Sequence, residues 1–185
     1  PRGLAPVVLR TEFVRMVLSA QGTLSEFTSL TSGTNYAIPG TPVFRVSRNG
    51  AEVPVRYVRR AGDALQVQFA DPAVTATLRL ERRPHYLTLT VERVSGEGID
   101  WFALADLRLN ITENVGTLIN AAWNETFGAV MLACSPQTDS TGADGARAAL
   151  TARCYPEYGF EGAKVAIAGV PLEPAGSTDA LLGVR

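Results

Sequence analysis

The sequence predicts an all-β protein, an antiparallel β-sandwich of about ten to twelve strands. Residues 74–94 alternate strictly between apolar and polar side chains on both sides of a short polar turn, as a half-buried antiparallel hairpin requires. The same two-residue period recurs along most of the chain, with turn residues at intervals of about ten positions. Helical periodicity is nearly absent, so strands in two packed layers are the expected architecture.

The first predicted hairpin joins residues 12–19, through a turn at Gly22, to a run that contains Leu24, Phe27 and Leu30. Both arms carry apolar residues that can face one side of a sheet. We therefore expect this hairpin to contribute to the core.

The second predicted hairpin joins residues 43–47 to residues 51–58. Asn49 and Gly50 lie between the two arms and form the strongest short hairpin signal, because both tolerate the positive φ of a type I′ turn. Pro54 has no N–H to donate, so it predicts an edge position or a bulge in the second arm.

The third predicted hairpin, residues 74–94, has an apolar and a polar face. The apolar face carries Val74, Ala76, Leu78, Leu80, Leu87, Leu89 and Val91. The polar face carries Thr75, Thr77, Arg79, Glu81, Thr88, Thr90 and Glu92. We interpret the polar face as the solvated side of a sheet, with His85 at the turn.

The remaining predicted strands are residues 65–69, 101–111, 127–134, 146–155 and 165–170. Residues 127–134 are apolar on both faces, which predicts a central strand covered on each side. In residues 101–111, Trp101 shares a two-residue period with Leu107 and Leu109, so we interpret it as a core anchor. Residues 178–182 are expected to begin a helix.

The chain has 185 residues and 46% hydrophobic content, enough for one sizeable core. We expect a single β-sandwich domain over residues 1–185, with residues 135–144 as a polar loop and no linker. The sequence begins with Pro1, which suggests a fragment of a longer protein. No stretch approaches the roughly 20 apolar residues of a membrane span, so no membrane association is expected.

The charge balance gives no sign of a nucleic-acid binder. The chain carries 17 basic and 18 acidic residues, whereas nucleic-acid binding requires a cationic surface. Residues 1–94 have 12 basic and 7 acidic side chains, and residues 95–185 have 5 and 11. This asymmetry could steer an anionic ligand, but a solvated sheet face rich in arginine explains it better.

Cys134 and Cys154 are the two cysteines of the chain. Both lie in predicted strands, so a cross-strand disulfide is conceivable if those strands are neighbours. Two buried free thiols fit the sequence equally well.

No catalytic residue is assigned from the sequence. His85 is the single histidine and lies at a hairpin turn, a poor place to preorganise a general base. Neither zinc-ligand spacing nor a phosphate-binding glycine motif occurs, so no metal or cofactor is expected. Two acids lie beside tryptophans, Glu125 near Trp123 and Asp100 near Trp101, but such pairs arise by chance at strand ends.

The aromatic residues of the second half are better candidates for sugar binding. A sugar site stacks an aromatic ring against the apolar face of the sugar and surrounds it with polar groups. We predict ligand contacts by Trp123, Asn124, Glu125, Tyr155 and Tyr158. Trp123 fits either a sugar platform or a core anchor.

Several segments resemble a known family. These are EFVRMVLSAQGTLSEFTSLTSGTNY near the start, then WFALADLRLN, WNETFGAVMLACSPQT and CYPEYGFEGAKVAIAGVP. Together they resemble the amino-terminal β-sandwich (galactose-mutarotase-like) domain of large bacterial glycoside hydrolases. In such proteins the sandwich precedes a separate catalytic barrel and does not carry the catalytic acids.

The resemblance implies a non-catalytic carbohydrate-binding or supporting accessory domain of a bacterial glycan-degrading protein. Its expected partners are a carbohydrate ligand and the neighbouring catalytic domain of the same chain, outside the cytoplasm. A structural or protein-interaction sandwich is an alternative, which an extended apolar patch would favour. A carbohydrate-active enzyme of mutarotase or lyase type is a second alternative, against which the shortage of histidine argues.

Overall fold

The computed structural model describes residues 4–140 and 148–172. Regular structure in these residues consists of strands and one short 3-10 turn, Pro156–Tyr158, so the predicted all-β class is confirmed. No helix long and apolar enough to cross a membrane occurs in the described ranges. Residues 178–182 and parts of the predicted segments 135–144 and 146–155 lie outside them.

The described residues form sixteen strands, of which twelve have at least four residues, in agreement with the predicted ten to twelve. Their bounds are β1 Val7–Arg10, β2 Val14–Leu18, β3 Thr23–Ser29, β4 Thr41–Pro42, β5 Arg45–Arg48, β6 Ala51–Val53, β7 Val55–Ala61, β8 Ala64–Phe69, β9 Thr75–Arg82, β10 Tyr86–Ser95, β11 Ile99–Leu109, β12 Asn114–Val115, β13 Ala121–Trp123, β14 Phe127–Ala133, β15 Ala148–Cys154 and β16 Lys164–Pro171.

The strands pair antiparallel in three sheets. One sheet has eight strands in the order β12-β13-β14-β16-β10-β9-β8-β7, and two have four strands in the orders β1-β2-β3-β4 and β15-β11-β5-β6. The two small sheets are linked where the N–H of Asp106 donates to the carbonyl of Val43. Together they form the layer that packs against the eight-stranded sheet.

Aromatic side chains join the layers. The Phe127 ring of the large sheet stacks on Tyr36 at a centroid distance of 4.5 Å and meets Phe27 edge-on at 6.2 Å. Phe69 and Phe102 make a second edge-on contact between layers, at 6.4 Å. These rings belong to one contiguous buried apolar cluster, so the core lies between the large sheet and the two small ones.

The predicted hairpin at residues 74–94 is β9 paired with β10, and its predicted apolar face is buried throughout. The interpretation of its other face as solvated is wrong for Thr88 and Thr90, which are 5% and 7% exposed. β16 pairs with β10 on the side away from β9. Neighbours on both sides therefore cover these short side chains, and the Thr88 hydroxyl donates to Glu81 at 3.1 Å.

The predicted turn at Asn49 and Gly50 is confirmed, since both residues have positive φ, 51° and 78°. Pro54 separates β6 from β7, so residues 51–58 form two strands instead of the one that we predicted. β6 and β7 are edge strands of different sheets. The prediction that Pro54 occupies an edge is therefore confirmed.

The interpretation of Trp101 as a core anchor is wrong. β11 contains two bulges, one between Ile99 and Trp101 relative to β5 and one between Ala103 and Ala105 relative to β15. Each bulge inserts one residue and reverses the inward and outward positions beyond it. Leu107 consequently faces the core while Trp101 lies on the outer face and is only partly buried.

β14 occupies a central position between β13 and β16, as predicted. The prediction that both of its faces are covered is wrong, because Leu132 on the outer face is 51% exposed. Met131 and Ala129 on the inner face are fully buried. The described residues thus bury one side of a strand whose composition suits burial on two sides.

Cys134 and Cys154 are free thiols, one exposed and the other buried. They follow β14 and end β15, which belong to different sheets. Cys154 donates to the carbonyl of Phe102 at 3.4 Å, and burial raises the pKa of its thiol to about 12. The disulfide alternative therefore does not hold in this structure.

Candidate functional site

A cluster of aromatic and charged side chains covers the outer face of the sheet β15-β11-β5-β6, and we call it the Trp101 face. It consists of Arg45, Trp101, Asp106, Arg108 and Arg153. The strand register brings them together, since Ala103 of β11 pairs with Arg45 on one side and with Arg153 on the other. The bulges of β11 add Trp101 to this polar surface.

Asp106 is the buried charge of the Trp101 face, with a side chain only 1% exposed. Nη1 of Arg45 donates to its Oδ2 at 2.7 Å, and Nε of Arg108 lies 3.6 Å from its Oδ1. The pKa of Arg45 is raised, first by its hydrogen bond to Glu52 and then, against the opposing effect of burial, by Asp106. Arg45 is therefore a fixed cation held between two carboxylates.

The indole of Trp101 is flanked by two guanidinium groups. Cζ of Arg153 lies 4.4 Å from the ring centroid, and Cζ of Arg45 lies 5.6 Å from it. Both distances are within the range of a cation–π interaction. A guanidinium stacked on an aromatic ring keeps N–H donors at its edge for hydroxyl or carboxylate oxygens.

An open depression of about 550 Å³ adjoins the Trp101 face. Its lining residues are Pro136, Gln137, Thr138, Asp139, Tyr155, Glu157 and Tyr158. Tyr155 continues β15 in extended conformation, so its side chain emerges on the same face as that of Arg153. Tyr158 ends the 3-10 turn and is 70% exposed.

The loop that forms one wall of the depression is fixed at both ends. The backbones of Asp139 and Arg153 exchange two hydrogen bonds of 2.8 Å. The hydroxyls of Ser135 and Thr138 both accept from the N–H of Lys164, at 3.0 and 2.8 Å. These contacts hold the backbone of the loop in place, and Gln137 and Asp139 line the depression together with the tyrosines.

The structure brings the predicted contact residues Tyr155 and Tyr158 together, and it places the predicted Trp123, Asn124 and Glu125 elsewhere. Trp123 pairs with Gly128 at the start of β14, whereas the depression follows the end of that strand. Seven residues of β14 at a rise of about 3.3 Å put roughly 20 Å between the two places.

Asn124 stabilises a turn. Its Oδ1 accepts from the N–H groups of Thr126 and Phe127, at 3.0 and 2.9 Å. Glu125 is exposed at the tip of that turn, and Trp123 is partly buried on the outer face of the large sheet. Ligand contacts by these three residues stay a prediction.

Sequence reasoning missed Arg45, Asp106 and Arg153 as parts of a site, and it gave Trp101 a different role. Asp106 was a usable signal, because an acid within an apolar strand is buried only when it is paired. The bulges that turn Trp101 outward leave no comparable mark in the sequence.

The Trp101 face and the depression offer stacking surfaces and hydrogen-bonding groups. No cluster of three His, Cys, Asp or Glu residues with the spacing of metal ligands occurs in residues 4–140 and 148–172. His85 does not line the depression; it lies 3.4 Å from Glu12 at the β9–β10 turn. This arrangement suits binding of a polyhydroxylated ligand.

No protein-family model matches the chain, and no curated protein matches it either. The resemblance to galactose-mutarotase-like sandwich domains therefore stays a prediction.

Proposed function

We propose that this protein is a non-catalytic carbohydrate-binding accessory module, which binds a glycan in the depression between Tyr158 and the 135–139 loop. The observation that carries the proposal is the 70% exposed ring of Tyr158 beside half-buried Tyr155 and the polar groups of Gln137, Asp139 and Glu157. We further propose that the parent protein degrades glycans outside the cytoplasm, as the family resemblance implies.

The side chains that line the depression are complementary to the apolar face and the hydroxyl groups of a sugar. A pyranose presents an apolar C–H face that stacks on a tyrosine ring, and its hydroxyls both donate and accept. Carboxylates such as Glu157 accept from pairs of hydroxyls, and the amide of Gln137 does both. Arg153, stacked on Trp101, extends the row of donors from the depression onto the Trp101 face.

The decisive experiment is calorimetric titration with a panel of oligosaccharides. Tyr158→Ala should weaken binding about tenfold, because it removes the stacking surface. Tyr86→Ala is the matched control, since Tyr86 is also exposed, at 41%, but lies on the opposite layer. Equal affinities of the wild type and Tyr158→Ala for a ligand that binds would refute this site.

The same titration tests the platform predicted at Trp123. If Trp123→Ala weakens binding and Tyr158→Ala does not, the glycan binds at the outer face of the large sheet instead. If only Tyr158→Ala weakens binding, Trp123 has another role.

A protein-interaction sandwich is the second candidate function, and a different surface favours it. Leu132 and Tyr86 are 51% and 41% exposed on the outer face of the eight-stranded sheet. Apolar surface in one continuous area on a sheet is typical of a contact with another polypeptide.

A further inference from the structure

The outer face of β14 and β16 is almost entirely apolar, and we call it the β14–β16 face. Its side chains are Val130, Leu132, Ala166, Ala168 and Val170, bordered by Trp123 and Tyr86. The register places them in rows: Leu132 pairs with Ala166, and Val130 pairs with Ala168, which pairs in turn with Tyr86. Alternation along each strand keeps these residues on one side of the sheet.

The other half of the same sheet surface has a different composition. On β9, β8 and β7 the outer positions include Thr77, Gln66 and Arg59, which lie side by side in the register. A solvated sheet normally carries such residues throughout. The outer positions of β14 and β16 carry a single such residue, Lys164 at the start of β16, and the face ends in an exposed loop, where Leu118 and Ile119 are 95% and 50% exposed. This half is therefore suited to being covered.

Charges lie on two opposite borders of the β14–β16 face. Exposed Arg83 follows β9, and its N–H donates to the carbonyl of Tyr86. Exposed Glu113 precedes β12 on the far border, and exposed Glu125 lies in the turn between β13 and β14 on the same side of the face. At the margin of the face, Lys164 at the start of β16 lies 3.1 Å from Glu81 of β9, so these two charges neutralise each other. One border is thus basic, the other acidic, and the centre carries no net charge.

We propose that the β14–β16 face binds a second copy of this chain in a two-fold dimer. The axis runs parallel to the strands, in the plane of the contact, between β14 and β16. Since the sheet order is β12-β13-β14-β16-β10-β9, this axis places β13 opposite the partner copy's β10 and β12 opposite its β9. This proposal rests on the second candidate function, that of a protein-interaction sandwich, and is independent of sugar binding.

Charge complementarity selects both the partner and the orientation. The two-fold axis brings the acidic border at Glu113 over the basic border at Arg83 of the other copy, twice by symmetry. An axis in the same plane but perpendicular to the strands would carry these charges to the opposite end of the partner's strands, away from both borders. The axis places Trp123, on β13 of each copy, opposite β10 of the other copy, which begins with Tyr86. Two large aromatic side chains therefore anchor each half of the contact.

Sedimentation velocity over a range of concentrations tests the association. The wild-type chain should sediment as a reversible dimer, and Leu132→Glu at the centre of the face should abolish it. Val8→Glu is the matched control, because Val8 is 44% exposed on β1 of another sheet, and it should leave the dimer intact. Circular dichroism melts of both variants separate loss of association from loss of fold.

A charge exchange tests the orientation. Arg83→Glu or Glu113→Arg alone should raise the dimer dissociation constant about tenfold, by placing like charges together. The double variant should recover most of the affinity. A wild type that remains monomeric at high concentration overturns the proposal and leaves a neighbouring domain as the occupant of the face, whereas the glycan titration is unaffected. A dimer that the double variant fails to restore overturns the proposed arrangement.

Discussion

Replacement of Asp106 by alanine should destabilise the fold more than any other single change on the Trp101 face. At the 2.7 Å contact between Arg45 and Asp106, and an effective dielectric constant of about 20, the attraction is about 6 kcal/mol before desolvation. Removing one partner of a buried pair usually costs about 3–5 kcal/mol. Arg45 keeps Glu52 as a partner and is 18% exposed, so we expect a loss of about 3 kcal/mol.

Urea denaturation followed by tryptophan fluorescence measures this loss as a shift of the midpoint at constant slope. Glu52→Ala is the control, since Glu52 is 50% exposed and its removal should cost less than about 1 kcal/mol. Arg45→Met combined with Asp106→Leu removes both buried charges and should lie within about 1 kcal/mol of the wild type. The reasoning is refuted if Asp106→Ala costs no more than Glu52→Ala, or if the double variant is the least stable.

Three further outcomes are expected. Gly169→Ala should lower the free energy of unfolding by about 1–3 kcal/mol, because the new Cβ would lie 2.7 Å from the Phe127 ring; an unchanged urea midpoint contradicts this. The Ser47 hydroxyl and then the Gly50 N–H lower the pKa of Asp100 below 3.8, so this carboxylate stabilises the fold above about pH 4 and loses its effect as pH falls through the lower folded-state value. Asp100→Asn should make the fall of Tm below about pH 4 less steep. If Tm depends on pH in the same way in the variant and the wild type, Asp100 does not contribute to acid stability. A thiol reagent should modify Cys134 in the native protein and Cys154 only after unfolding, because burial raises the pKa of Cys154 to about 12; two fast-reacting thiols in the native state would show otherwise.

The sequence sufficed for the hairpins because alternation and turn chemistry are local. The β9–β10 hairpin shows its buried face in every second residue, and Asn49 with Gly50 specifies the turn between β5 and β6 by backbone freedom alone. The order of strands in the large sheet could not be predicted, because it depends on pairings between distant segments such as β14 with β16. Strand β1 went unrecognised for the same reason, since it is completed by pairing with β2.

In the candidate site, too, contacts between residues close in sequence could be predicted, whereas contacts between distant strands could not. Tyr155 and Tyr158 are close in sequence, so their proximity could be predicted. Trp101 lies in a run that is apolar on both sides, and such a run does not reveal where an extra residue enters the strand. Its contacts with Arg45 and Arg153 come from strands on either side of β11, which only the fold brings together.

At Pro54 the chain leaves the sheet β15-β11-β5-β6 and enters the eight-stranded sheet. This crossing has a consequence for the order in which the strands pair during folding. β5 and β11 are neighbours, with Arg48 paired to Ile99, yet the roughly fifty residues between them build half of the opposite sheet. The β9–β10 hairpin closes over a short turn and can form early. The pairing of β5 with β11 must wait until that half-sheet has collapsed, since its loop-closure entropy is otherwise uncompensated. We therefore expect refolding on the slower timescale of proteins dominated by non-local pairing, since the pairing of β10 with β16 spans even more of the chain than that of β5 with β11.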